Sequence, residues 1–147
     1  VLVLIGGTAL ITYTLTSRSS TPVVETPASE PSTPASSAGD SAVAKERLCA
    51  AFLQTTKGST GRGGVVSDGE LNTANVLRIV ASVVTIQRAT TNDVAPDVAE
   101  LANAFVDGKL ALANAALANE SIEELVRLNG LGNEATRNLA DACGIAY

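Results

Sequence analysis

Residues 96–128, PDVAELANAFVDGKLALANAALANESIEELVRL, decide the fold. Pro96 suits the first turn of a helix, where its missing N–H costs nothing. Val98, Leu101, Phe105, Leu112 and Ala116 then recur at helical spacing, with Ala102, Val106 and Ala113 beside them. That stripe predicts an amphipathic helix reaching about Asn119. Ser121-Ile122-Glu123-Glu124 fits an S-x-x-E capping box and opens the next helix. Asn129-Gly130-Leu131-Gly132 reads as an interruption before a last stretch from Asn133 to Cys143.

Working outward, the same period appears upstream. Ser67-Asp68-Gly69-Glu70 fits a second capping box, opening a helix to about Ala89 with Val76, Leu77, Val80, Val83 and Val84 expected inward. Before it, Ser41 to Lys57 carries Ala44, Leu48, Ala51, Phe52 and Thr55 on one stripe. The runs 58–64 and 90–93 break the pattern. The expected fold is all-α, a small four-helix bundle-like domain over residues 41–147, its alanines letting thin helices pack closely.

Composition excludes several activities. The 147 residues hold no His, Met or Trp, two Tyr and two Phe, and a net charge of −5. Without His there is no Ser-His-Asp or Cys-His nucleophile and no His-based zinc site. An acidic chain poor in aromatics is also a poor nucleic-acid binder. No catalytic residue, cofactor or metal ligand is expected. The glycine run 58–64 lacks the G-x-x-x-x-G-K-[ST] spacing of a phosphate loop and reads as an interhelical connection. Glu120, Glu123 and Glu124 complement a helix dipole, and Asp97, Glu100 and Asp107 read as a solvated face. Asn119-Glu120-Ser121 is formally a glycosylation sequon and also the loop and cap the helix needs. Asn103 and Asn114, with Asp107 one turn from Asn103, share a helix face and are candidate partner contacts.

The chain before residue 41 is different in kind. Residues 1–15, VLVLIGGTALITYTL, are uncharged and cover roughly 22 Å as a helix, against a hydrocarbon core of ~30 Å. They are expected to form a transmembrane anchor truncated at its start, packing on partner helices through Gly6, Gly7 and Ala9. Residues 16–40 hold four of the five prolines and read as an extended Pro/Ser/Thr-rich linker. Val23 and Val24 are its one apolar pair and its expected contact with a partner surface. Arg18 is the only basic residue of the linker, so that flank is expected outside the cytoplasm. The localisation that follows is the cell membrane, single-pass, with the C-terminal domain extracytoplasmic. In that compartment Cys49, near the start of the first helix, and Cys143, near the end of the last, read as a structural disulfide, and no C-x-x-C or neighbouring His marks a redox pair.

An apolar anchor, a Thr/Ser/Pro/Ala stalk, then Leu48-Cys49-Ala50-Ala51-Phe52 opening and Ala140-Asp141-Ala142-Cys143 closing a helical domain: this layout resembles the alanine- and proline-rich single-pass membrane proteins of mycobacteria and related actinobacteria. Some accessory subunits of the cytochrome bc–cytochrome oxidase supercomplex look like this. The resemblance implies a non-catalytic accessory subunit associating with integral membrane subunits, cytochrome bc and cytochrome oxidase among them, in the lipid bilayer. The alternative is a tethered binding module for a lipid or small apolar ligand, its cavity lined by residues such as Leu101, Phe105 and Leu112.

Overall fold

The structure, a computed structural model, describes residues 37–57 and 63–146. The predicted anchor and almost all of the linker, with Gly6, Gly7, Ala9, Val23 and Val24, lie outside the described residues. Among the described residues, no helix is long and apolar enough to cross a membrane.

Four helices account for most of the described chain: α1 (Ala38–Thr56), α2 (Thr73–Ala89), α3 (Pro96–Leu117) and α4 (Ile122–Ala142). The all-α expectation holds, and the ends differ from it for local reasons. Helix α1 begins at Ala38, inside the stretch assigned to the linker, because Ser37 and Asp40 form a reciprocal cap. The Ser37 Oγ accepts the Asp40 N–H at 3.2 Å, and an Asp40 carboxylate oxygen accepts the Ser37 N–H at 3.3 Å.

The box read at residues 67–70 does not start α2. Val66–Ser67 (β1) and Glu70–Leu71 (β2) pair antiparallel around Asp68-Gly69. Both turn residues have positive φ, 54° and 81°, as the two-residue D-G hairpin requires. The cap of α2 is Asn72, whose side chain accepts the Asn75 N–H at 3.1 Å and donates to the Gly64 carbonyl at 3.2 Å. Helix α2 is apolar on more than one face, and it buries Val76, Val83 and Ile86 while leaving Leu77, Val80 and Val84 64%, 38% and 40% exposed. The inward placement of those three is therefore corrected.

Helix α3 follows its stripe, burying Val98, Ala102, Phe105, Val106, Leu112, Ala113 and Ala116. It stops because Asn119 adopts a left-handed φ of 55°. That turn lets the N–H groups of Asn119 and Glu120 donate back to the carbonyls of Ala116 and Ala115. Helix α4 runs unbroken through residues 129–132, against the expected interruption. Gly132 serves there as a packing surface: a Cβ on Gly108 of α3 would lie 3.2 Å from the Gly132 Cα. The two backbones approach closely because Gly108 has no side chain at the crossing.

Helix contacts are richest between α3 and α4, then α2 and α3, then α1 and α2. Helices α1 and α4 are tied by the Cys49–Cys143 disulfide, with Cα atoms 5.4 Å apart, and their backbones come close scarcely anywhere else. Beside that tie lies the main core, where Leu48, Phe52, Ile86, Ala102, Leu139 and Ala140 are fully buried. The Phe52 and Phe105 rings meet edge to face at 5.6 Å.

Candidate ligand-binding cleft

Because α1 and α4 are joined at one end only, a cleft of about 680 Å³ opens between them. The C-terminal turn of α1 supplies Leu53, Thr55 and Lys57; α2 supplies Asn75, Arg78, Ile79 and Ser82. Phe105, Lys109 and Leu112 of α3 and Asn129, Asn133 and Thr136 of α4 complete the walls. The C-terminal tail closes one side. Gly144, at φ 65°, turns the chain after α4, and Ile145 folds back to line the cleft and pack on the main core. A second cavity, about 200 Å³ beside the hairpin, is below the usual size of a ligand site.

The hydroxyls of the cleft are already committed to their own helices. Thr55 donates to the Phe52 carbonyl at 2.8 Å, Ser82 to that of Arg78 at 2.8 Å and buried Thr136 to that of Gly132 at 2.6 Å. The cations are not so committed. Lys109 makes no ion pair or hydrogen bond with the described residues; its ammonium sits 5.7 Å from the centre of the Phe105 ring. Burial lowers its pKa below the ordinary lysine value. Arg78 donates one hydrogen bond, Nη1 to the Asn75 Oδ1 at 3.0 Å. Asn75 is itself braced by donation to the Gly63 carbonyl at 3.2 Å. The remaining guanidinium N–H groups have no partner among the described residues.

Three of the described basic residues, Lys57, Arg78 and Lys109, line this cleft, and none of the described acids does. The sign is opposite to that of the protein as a whole, so a local positive field faces any entering group.

The sequence-derived candidates fall elsewhere. Cys49 and Cys143 do form the disulfide. Asn103, Asp107 and Asn114 are exposed on α3 and none lines the cleft. Phe105 and Leu112 line it as expected of a ligand cavity, whereas Leu101 packs half-buried against the main core. Ser121 caps α4 by accepting the Glu124 N–H, but Glu124 does not close the box: its carboxylate takes two hydrogen bonds from Arg127, at 2.6 and 2.7 Å. Those bonds hold the Glu124 pKa below its ordinary value. Among the described residues no group of His, Cys, Asp or Glu is placed to hold a metal ion.

Lys109 and Arg78 were missed, and for Lys109 a signal was present. Val98, Ala102, Phe105, Lys109, Leu112 and Ala116 follow one another at alternating spacings of four and three, so Lys109 is the single charge on the buried stripe of α3. No protein-family model matches the chain, and neither a curated protein nor a solved structure does.

Proposed function

We propose that the helical domain is a non-catalytic binding module that holds a small amphipathic ligand between α1 and α4. The cleft carries this reading. Its volume of about 680 Å³ falls inside the ~300–1,000 Å³ range of ligand sites, and it pairs an apolar wall with a few polar groups. The test is mass spectrometry of small molecules co-purifying with the full chain. A stoichiometric amphiphile, lost from an Ile79→Trp variant that fills the cleft, is the expected result. Equal recovery from the wild type and the filled variant would overturn the reading.

A second reading, accessory subunit of a membrane complex, is supported by a different surface. Leu77, Val80 and Val84 form an exposed apolar row on α2, the kind of patch that docks on a partner. The partners of choice are integral membrane subunits, with the respiratory cytochrome bc–cytochrome oxidase assembly the specific candidate. The proposed setting is extracytoplasmic, tethered by residues 1–15 to the cell membrane, and the Cys49–Cys143 disulfide is in keeping with an oxidising compartment. Mild-detergent pull-down of the full chain should recover such subunits, and Leu77→Glu with Val84→Glu should abolish recovery. Recovery unchanged by that pair of substitutions would remove the row from the account.

A further inference from the structure

We propose that the cleft selects single-chain amphiphiles with an anionic head, the head seated by Lys109 and Arg78 and the chain laid against Phe105, Leu112 and Ile79. This rests on reading the cleft as a ligand site and adds the chemistry of its occupant.

Four observations converge on it. First, the charge is of one sign: among the described residues the cleft gathers three cations and no carboxylate, in a chain where acids outnumber bases. Second, Lys109 is desolvated without a counter-ion among the described residues, an arrangement that disfavours the free protein and that a bound anion relieves. Third, the uncommitted polar groups are cations, donors only, joined by the amides of Asn129 and Asn133, which make no hydrogen bond among the described residues. The threonine and serine hydroxyls spend their protons on helix carbonyls and leave the cations to bind the head. Fourth, Phe105 and Leu112 lie one turn to either side of Lys109 on the same stripe, so charge and apolar wall are contiguous on α3. A cleft of about 680 Å³ suits a drug-sized ligand, hence one alkyl chain with its head rather than a two-chain lipid.

The shared head chemistry is a carboxylate or phosphate oxyanion, which accepts charge-assisted hydrogen bonds from ammonium and guanidinium groups. A neutral alcohol leaves both cations uncompensated, and a quaternary ammonium head is repelled.

The experiment is photolabelling of the full chain with a diazirine-bearing fatty acid, its alcohol and its trimethylammonium counterpart, followed by peptide mapping. The acid should label the α3 segment around Phe105–Leu112 saturably and the other two probes at least about tenfold less. Lys109→Met and Arg78→Gln should each weaken apparent binding of the acid by about tenfold, the scale of a lost charged hydrogen bond. Lys109→Arg should retain most of it, and circular dichroism checks that each variant is folded. Competition by laurate and by a lysophosphatidate, against inorganic phosphate, separates the sources. Laurate or lysophosphatidate competing alone supports the proposal and names the preferred head; displacement by inorganic phosphate as effective as either overturns the amphiphile. Equal cleft labelling by acid and alcohol in wild type and Lys109→Met overturns the anionic head and leaves the ligand site standing. Absence of cleft labelling by all three probes overturns both.

Discussion

The two ends of the α1–α4 seam differ in every physical respect. Near Cys49–Cys143 the side chains of Leu48, Leu139 and Ala140 are wholly buried and the helices are covalently joined. Towards the C-terminus of α1 the same two helices part, and the space holds a desolvated lysine, an arginine with spare donors and a folded-back tail. The closed end supplies stability and the open end gives it up. Cations with no counter-ion among the described residues cost stability, which burial and the cross-link at the closed end offset.

Breaking the closed end should give the largest effect. In the chain-entropy model, a cross-link between residues 94 apart in sequence contributes roughly 4–5 kcal/mol. Cys49→Ser with Cys143→Ser should therefore lower the urea-derived unfolding free energy by about that much. The effect should also reach the open end, because Ile145 and Ala146, which line the cleft, follow directly on Cys143. Reduction should weaken fatty-acid photolabelling at concentrations of urea too low to unfold the helices. Labelling that survives reduction unchanged would show that the two ends are independent.

The next effect is smaller and has two signs. At the α3–α4 crossing, a Cβ on Gly108 would meet the Gly132 Cα at 3.2 Å, a backbone atom that cannot rotate away. Gly108→Ala should cost about 1 kcal/mol net, overpacking exceeding the gain in helix propensity. A Cβ on Gly132 would find its nearest neighbours at 3.6–3.9 Å, ordinary contact distances. Gly132→Ala should instead raise stability, by up to about 1 kcal/mol. Urea midpoints of the two variants moving in the same direction would contradict the packing account of why α4 stays continuous.

That pair also shows where the sequence stops being legible. The α3 stripe and the cysteine frame could be read because each rests on a pattern within one element or on a residue type with one common use. Gly132 could not, since a glycine within a helix is a breaker or a close-packing surface depending on what lies opposite, and Gly108 is opposite only in three dimensions. Ser67 to Glu70 satisfied two local rules at once; the D-G turn prevailed because Asn72, two residues beyond, offered α2 a cap. Leu77, Val80 and Val84 were assigned inward because α2 is apolar on more than one face, and periodicity alone does not choose between them. For the cleft, Phe105 and Leu112 are legible on the α3 stripe, and Lys109 carries a signal there, as a charge on an otherwise apolar stripe. Arg78 and Asn133 owe their role to the spreading of α1 from α4, which no local pattern encodes.

The smallest effect separates the cost of the open end from its use. Burial places the folded-state pKa of Lys109 below that of the unfolded chain, whose ordinary lysine value is 10.5. Between those two values the unfolded chain binds more protons, so Lys109 makes stability rise with pH across that window. Below the window the lysine is charged in both states and its full desolvation cost is present; above it the cost is gone. Among the described residues, the other charged groups lining the cleft are Arg78 on α2 and Lys57 at the end of α1, while α4 contributes only uncharged side chains. Lys109→Met should thus be at least as stable as the wild type near pH 7, with its advantage shrinking as pH climbs towards 10.5. Urea titrations of both proteins across that range measure the difference. An advantage that stays constant with pH would mean that packing, and not the buried charge, sets it; an advantage that fades while fatty-acid binding is lost would show that the charge is kept for the ligand at the expense of the fold.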